Sequence, residues 1–284
     1  MQKTIKKPLR RRIRAWRHRI RDQRILDRAV ASRDELVLLH QMGKVGSSSV
    51  RDALEAMEGI RVFQSHWWTR RNLQHKAGII DESRRKSNRY GDRHHFGAML
   101  YDRIVEPRLA SRVVTMVRDP LARNVSSYFQ HLDDIWGMRA AHERVSAENL
   151  IDGFHRVFEH DEPLTWFQTE IEDTTGIDVF ASPFDTARRW TIIPSDHWSL
   201  LIMRTDLPDE GKQEALSTFL GVDMPPLPRS NVGSTKKYAS QYRAFKQHLT
   251  IPRSLLDRLY NAPVTRHFFS PDEVATMRAR WTEG

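Results

Sequence analysis

The chain has 284 residues, 39% of them apolar and 29% charged, which suits a soluble globular chain long enough for one large domain. It contains no cysteine, so disulfides and thiolate metal sites are excluded, and no apolar run is long enough to predict a transmembrane helix. Its formal charge of +10 lies wholly in residues 1–28, where 12 Lys and Arg stand against two Asp, and the rest of the chain is formally neutral.

That basic arm interleaves Lys6-Lys7, Arg10-Arg11-Arg12, Arg14, Arg17, Arg19 and Arg21 with Ile13, Trp16, Ile20 and Ile25. The apolar residues recur at helical spacing, so an amphipathic helix is predicted for about Pro8 to Val30. Such a helix suits an anionic membrane surface; the alternative is a solvated terminus. A nucleic-acid role is disfavoured, since only Trp16 could stack on a base. The arm lacks the apolar core of a secretory signal, so the expected location is cytoplasmic, or peripheral at the inner face of the membrane. The expected division is an arm over 1–30 and a single α/β domain over 31–284.

From the arm onward, strands and helices alternate. Leu36 to His40 reads as a buried strand and Ser47 to Met57 as a helix, with a second strand at Ile60 to Ser65. Thr69 to Arg93 is polar and Arg-rich, irregular with a short helix. A helix about His95 to Glu106 leads into a Val-rich third strand, Arg112 to Val117. Asp119 and Pro120 open the next helix as N-cap and first-turn proline. Helices are predicted at Ser146 to Glu159 and Leu164 to Thr174, a buried strand at Trp198 to Met203, and a helix at Pro208 to Leu220. Two or three helices close the chain after the proline-rich Met224 to Pro228. This order predicts a parallel sheet flanked by helices, with a helical C-terminal part.

Gln41 to Val50 (QMGKVGSSSV) lies between the first strand and a helix, where α/β proteins hold anions. Small residues let the backbone approach a phosphate, the helix start offers unpaired N–H groups, and hydroxyls add donors. Lys44 brings a positive charge to Gly46, Ser47, Ser48 and Ser49. The loop is not a Walker A sequence, because Val45 stands where the magnesium-binding Ser or Thr must be and Leu38 replaces the first Gly. This argues against a magnesium-dependent kinase-like enzyme. Lys-x-Gly followed by Ser residues after the first strand is similar to the 5′-phosphosulfate loop of sulfotransferases that use 3′-phosphoadenosine 5′-phosphosulfate (PAPS).

The third strand carries the resemblance further. In Val113 to Tyr128 an Arg ends the strand, a Pro follows two residues later and a Ser eight residues later. Arg118, Pro120, Ser126 and Tyr128 thereby resemble the 3′-phosphate element of the same enzymes. The guanidinium supplies a planar fork for phosphate and Ser126 a hydroxyl. For Arg118 taken alone, the bland alternative is a salt bridge with Asp119 or Asp133. Leu200 to Leu207 resembles a late strand of the family. Trp166 to Phe180 and the stretch around Tyr242, Tyr260 and His267 resemble a bacterial group of capsular polysaccharide synthesis proteins.

The resemblance implies a P-loop-like fold, PAPS as donor with adenosine 3′,5′-bisphosphate as product, no required metal, and a hydroxyl acceptor, taken to be a carbohydrate. It also implies a late basic loop over the donor, for which Lys236 and Lys237 are the candidates; a solvated charge pair is the alternative. The chemistry needs a cation near the leaving oxygen and a base near the acceptor. Lys44 is assigned to the first role and His66, just after the second strand, to the second. Glu55, His94 and His95 are fallback bases. His94-His95 lacks a third residue at metal-ligand spacing, so no metal site is expected. Trp67-Trp68 is either a stacking platform for a sugar or core. A non-enzymatic reading, a membrane-associated adaptor with a degenerate nucleotide fold, stays open.

Overall fold

The computed structural model describes residues 6–69, 71–74, 93–228 and 238–282; Lys236, Lys237 and the side chains of His94 and His95 lie outside the described residues. Helix α1 spans Lys6–Ala31, longer at both ends than the spacing predicts. Strand β1 (Glu35–His40) follows, then α2 (Ser48–Glu55), β2 (Ile60–Ser65), α3 (Arg93–Leu100), β3 (Arg112–Val117), α4 (Pro120–Gln130), β4 (Trp190–Pro194) and β5 (Ser199–Arg204). Between α4 and β4 run short helical pieces and the helix Ala147–Arg156, which Ser146 caps through the Asn149 N–H.

One sheet organises the chain, in the order β2-β1-β3-β5-β4. β2, β1, β3 and β5 are parallel; β1, β3 and β5 are buried at all but their first residue and read as near-continuous apolar runs, whereas β2, at the sheet edge, is only partly buried. β4 is an antiparallel edge strand, which the sequence reading misses. Its run Trp190 to Pro194 is short and ends in a proline, tolerated here because an edge strand can spare a donor. Trp198, expected to open the next strand, instead closes the turn from β4, its N–H donating to Ser195 Oγ at 3.1 Å. The chain moves from β1 outward to β2, then crosses back over β1 to β3. The reversal leaves a crevice between the carboxyl ends of β1 and β3, where open α/β sheets bind ligands.

Four helices close the described chain rather than two or three: Ala239–His248, Arg253–Tyr260, Pro263–Phe268 and Pro271–Ala279. Their anchor on the sheet is Arg204, only 2% exposed at the end of β5. Its guanidinium donates to Glu273 at 2.7 and 2.8 Å and to Asp206, and lies 4.4 Å from the Phe269 ring centroid. Glu273 also completes the capping box of Pro271–Ala279 with Ser270. The hydrogen bonds from Arg204 hold the Glu273 carboxyl down at about 2. The stability this adds is complete above the ordinary carboxylate range and is lost as pH falls through about 2. Glu273→Gln should therefore cost about 1–2 kcal/mol at neutral pH, allowing for the water that reaches this carboxylate. The gap between variant and wild type in urea melts should close as pH approaches 2; a pH-independent gap would show that the charge is not what matters.

Candidate active site

All four parallel strands deliver a polar group to the same edge. β1 runs into the loop Gln41–Ser47, and the residues immediately following β2, β3 and β5 are His66, Arg118 and Thr205. Each of the three donates to a different carbonyl of that loop. His66 Nδ1 reaches Gln41 O at 2.8 Å, Arg118 Nη1 reaches Lys44 O at 2.9 Å, and Thr205 Oγ1 reaches Val45 O at 2.8 Å. A fourth donor, Arg123 Nε on α4, takes Gly43 O at 3.0 Å. With these carbonyls tied to the protein by side chains, the loop is held from four elements at once.

The backbone torsions of that loop alternate in hand. Lys44 (φ 74°) and Gly46 (φ 76°) are left-handed, while Val45 is not and Ser47 has φ −77°. Alternating signs over successive residues turn neighbouring N–H groups to one side, the concavity that holds anions. Gly46 is required here: besides its φ, an added Cβ would sit 3.3 Å from Thr205 Cγ2. Ser47 precedes α2 without capping it through its side chain, so its hydroxyl leaves the first-turn amides of α2 alone. That hydroxyl instead accepts from the side-chain amides of Gln41 and Gln64, the latter at 3.1 Å, and keeps its own proton to give. The N-terminus of α4 is closed by contrast, because Asp119 accepts from the N–H groups of Leu121 and Ala122. Of these two helix starts, only that of α2 lacks a side-chain cap from its N-cap residue.

Lys44 is half-buried, with Nζ 3.4 Å from Gln130 Oε1 at the end of α4. Arg123, Ser126 and Gln130 recur at helical spacing on one face of α4, and the outer two contact the loop. Ser126 lies between them, half-buried, its hydroxyl without a hydrogen bond among the described residues. Arg118 makes neither of the salt bridges weighed above: it uses a donor on Lys44 O, while Asp119 caps α4 and accepts from Tyr260 Oη at 2.9 Å. Burial lowers the Arg118 pKa and raises that of Asp119. Tyr128, matched by the resemblance, is core: its Oη donates to Leu150 O at 2.8 Å.

The bond to Gln41 O fixes the tautomer of His66. A carbonyl can only accept, so Nδ1 carries the proton and Nε2 the lone pair. Burial depresses the pKa, which keeps the ring neutral at pH 7. Trp166 Nε1 donates to His66 O at 3.1 Å, and the Trp67 ring stands edge-on at 5.5 Å. The two tryptophans divide: Trp67 is half-buried, whereas Trp68 is fully buried and stacked on His40 at 3.5 Å. Of the fallback bases, Glu55 lies at the far end of α2 and approaches Arg51 at 3.7 Å.

The sequence reading misses the scaffold behind His66. The helix expected at Leu164 to Thr174 is α-helical to Trp166, a π-helix over Phe167–Glu172, then helical again. The wider turn carries Glu170, fully buried, against Trp68, Thr69 and Asn72. It accepts from Trp68 N at 2.5 Å, Thr69 Oγ1 at 2.8 Å and Asn72 Nδ2 at 2.6 Å, and lies 3.3 Å from His40 Nε2. These bonds fix the chain just after His66. Arg123 is braced in turn by Glu162, whose Oε2 lies 2.9 Å from its Nη2.

Residues 143–270 match the model of a family described as "Putative capsular polysaccharide synthesis protein". No curated protein and no solved structure matches the chain. The matched stretch includes Trp166, Glu170, Arg204 and Thr205, which support the site from behind. It does not reach the loop Gln41–Ser47, His66, Arg118 or Ser126.

Proposed function

We propose that the protein is a sulfotransferase that moves a sulfuryl group from PAPS to a hydroxyl of a carbohydrate acceptor. The observation that carries this reading is the loop Gln41–Ser47, tied down by four side chains and alternating in backbone hand beside the start of α2, which Ser47 does not cap through its side chain. In this reading the loop amides, Gly46 and Ser47 to Ser49 hold the 5′-phosphosulfate, while Arg118 and Ser126 hold the 3′-phosphate. Lys236 and Lys237 remain candidates for closing over the donor. The acceptor oxygen forms a bond to sulfur as the bond from sulfur to the 5′-phosphate oxygen breaks. His66 Nε2 takes the acceptor proton, Lys44 meets the charge growing on the leaving oxygen, and adenosine 3′,5′-bisphosphate departs. The family match over residues 143–270 favours a glycan acceptor. Nothing in this scheme requires magnesium, and Val45 withholds the hydroxyl that a P-loop kinase uses to bind it.

The test is calorimetric titration with adenosine 3′,5′-bisphosphate and with adenosine 5′-phosphosulfate, in the presence of chelator. Ser126→Ala should weaken the bisphosphate by about 1.5–3 kcal/mol and leave the phosphosulfate unchanged. Arg118→Ala should weaken both, the bisphosphate more, because Arg118 also holds Lys44 O. Equal losses for both ligands in Ser126→Ala would remove Ser126 from the 3′-phosphate. No binding of either ligand to the wild type would overturn the sulfotransferase reading and favour the adaptor.

A further inference from the structure

Helix α1 carries more charge than any role in the crevice can use, and its residues are sorted by face. Arg19, Gln23 and Leu26 look toward Ala98, Met99, Asp102 and Arg103. Leu26 and Ala29 are buried, and Asp27 pairs with Arg103 at 2.5 Å, so this side belongs to the folded body. Arg17, Arg21, Arg24 and Arg28 follow one another at steps of four, three and four, which puts them in one row. At about 100° per residue that row is centred opposite Leu26 and faces away from the body. Its flanks are apolar: Trp16 and Ile20 on one side and Ile25 on the other, with Trp16 61% and Ile25 41% exposed. Together these seven residues line a shallow hollow of about 450 Å³. The same step continues in the sequence to Arg14 and Arg10.

We propose that this outward half of α1 docks the enzyme on a membrane surface rich in anionic lipid. The charge row supplies the attraction to lipid phosphates, and the neutral remainder of the chain neither adds to it nor opposes it. The flanking side chains select the partner. Exposed Trp and Ile beside arginine gain by entering the boundary between headgroups and acyl chains, whereas a soluble polyanion offers them nothing. No helix among the described residues is long and apolar enough to cross a membrane, so attachment lies in the plane of the surface. The inference is independent of the chemistry assigned to the crevice.

Binding of the full chain to mixed phosphatidylcholine and phosphatidylglycerol vesicles, measured by sedimentation over a salt series, tests this. Arg17, Arg24 and Arg28 are exposed, so replacing all three by Gln should leave the melting temperature unchanged. Partitioning should fall by about fivefold per arginine, on the order of 10²-fold in the triple variant. Trp16→Ala with Ile25→Ala should lower partitioning several-fold without changing its salt dependence. Equal binding to pure phosphatidylcholine vesicles, or an unaltered triple variant, would overturn the proposal. So would tighter binding to a single-stranded RNA than to the anionic vesicles, with the Trp16 and Ile25 changes neutral for both.

Discussion

Replacing His66 by alanine is expected to lower sulfuryl transfer by a factor on the order of 10²–10⁴, while donor affinity changes much less. An observed brace and a proposed base meet in this residue, and the variants must separate them. Its Nδ1 holds Gln41 O at 2.8 Å, and its Nε2 is the nitrogen left to accept a proton. His66→Asn keeps an amide donor near the place of Nδ1 and removes the base. If His66 serves mainly as a brace, His66→Asn should recover most of the activity that His66→Ala loses. If it is the base, both variants should be equally slow. The pH profile gives a second readout. Burial lowers the His66 pKa below its ordinary value of 6.5, so wild-type activity should rise with pH through a point below 6.5 and be level by pH 7. That limb should be absent from both variants. A limb retained in His66→Asn would move the search to His94 and His95.

The contrast between His66 and its supports shows what a sequence can carry. β2 and β3 are observed at the predicted limits, and Asp119 caps α4 with Pro120 in the first turn, because those signals are local: apolar runs, a cap residue, a fixed proline torsion. The positions of Lys44, His66 and Arg118 at one sheet edge were legible for the same reason, since each follows a buried strand. What holds them there was not. Arg123 bonds a carbonyl 80 residues earlier in the chain and Thr205 one that is 160 residues away. Glu170 reaches Trp68 across 102 residues through a π-helical turn that has no pattern of its own in a run otherwise reading as helix. Edge strand β4 was lost because five residues ending in proline give too short a period to count.

Lys44→Gly is expected to separate catalysis from folding more cleanly than any other change at the site. Lys44 holds φ 74°, a conformation in which a side chain costs roughly 1–2 kcal/mol and glycine costs nothing comparable. Removing the side chain therefore relieves the backbone, and Lys44→Gly should be as stable as wild type or about 1 kcal/mol more stable. Lys44→Ala keeps the unfavourable torsion and should melt below Lys44→Gly. Turnover should fall in both by a factor on the order of 10²–10³, because both lack the charge that the proposed mechanism sets against the leaving oxygen. Donor affinity should fall as well, since in the proposed mechanism the ammonium meets the phosphosulfate before any bond breaks. Thermal melts with and without adenosine 3′,5′-bisphosphate, set beside single-turnover rates, give every quantity needed. A Lys44→Gly enzyme that melts as predicted yet transfers at the wild-type rate would show that the loop binds its anion through backbone alone, and Lys44 would lose its catalytic assignment.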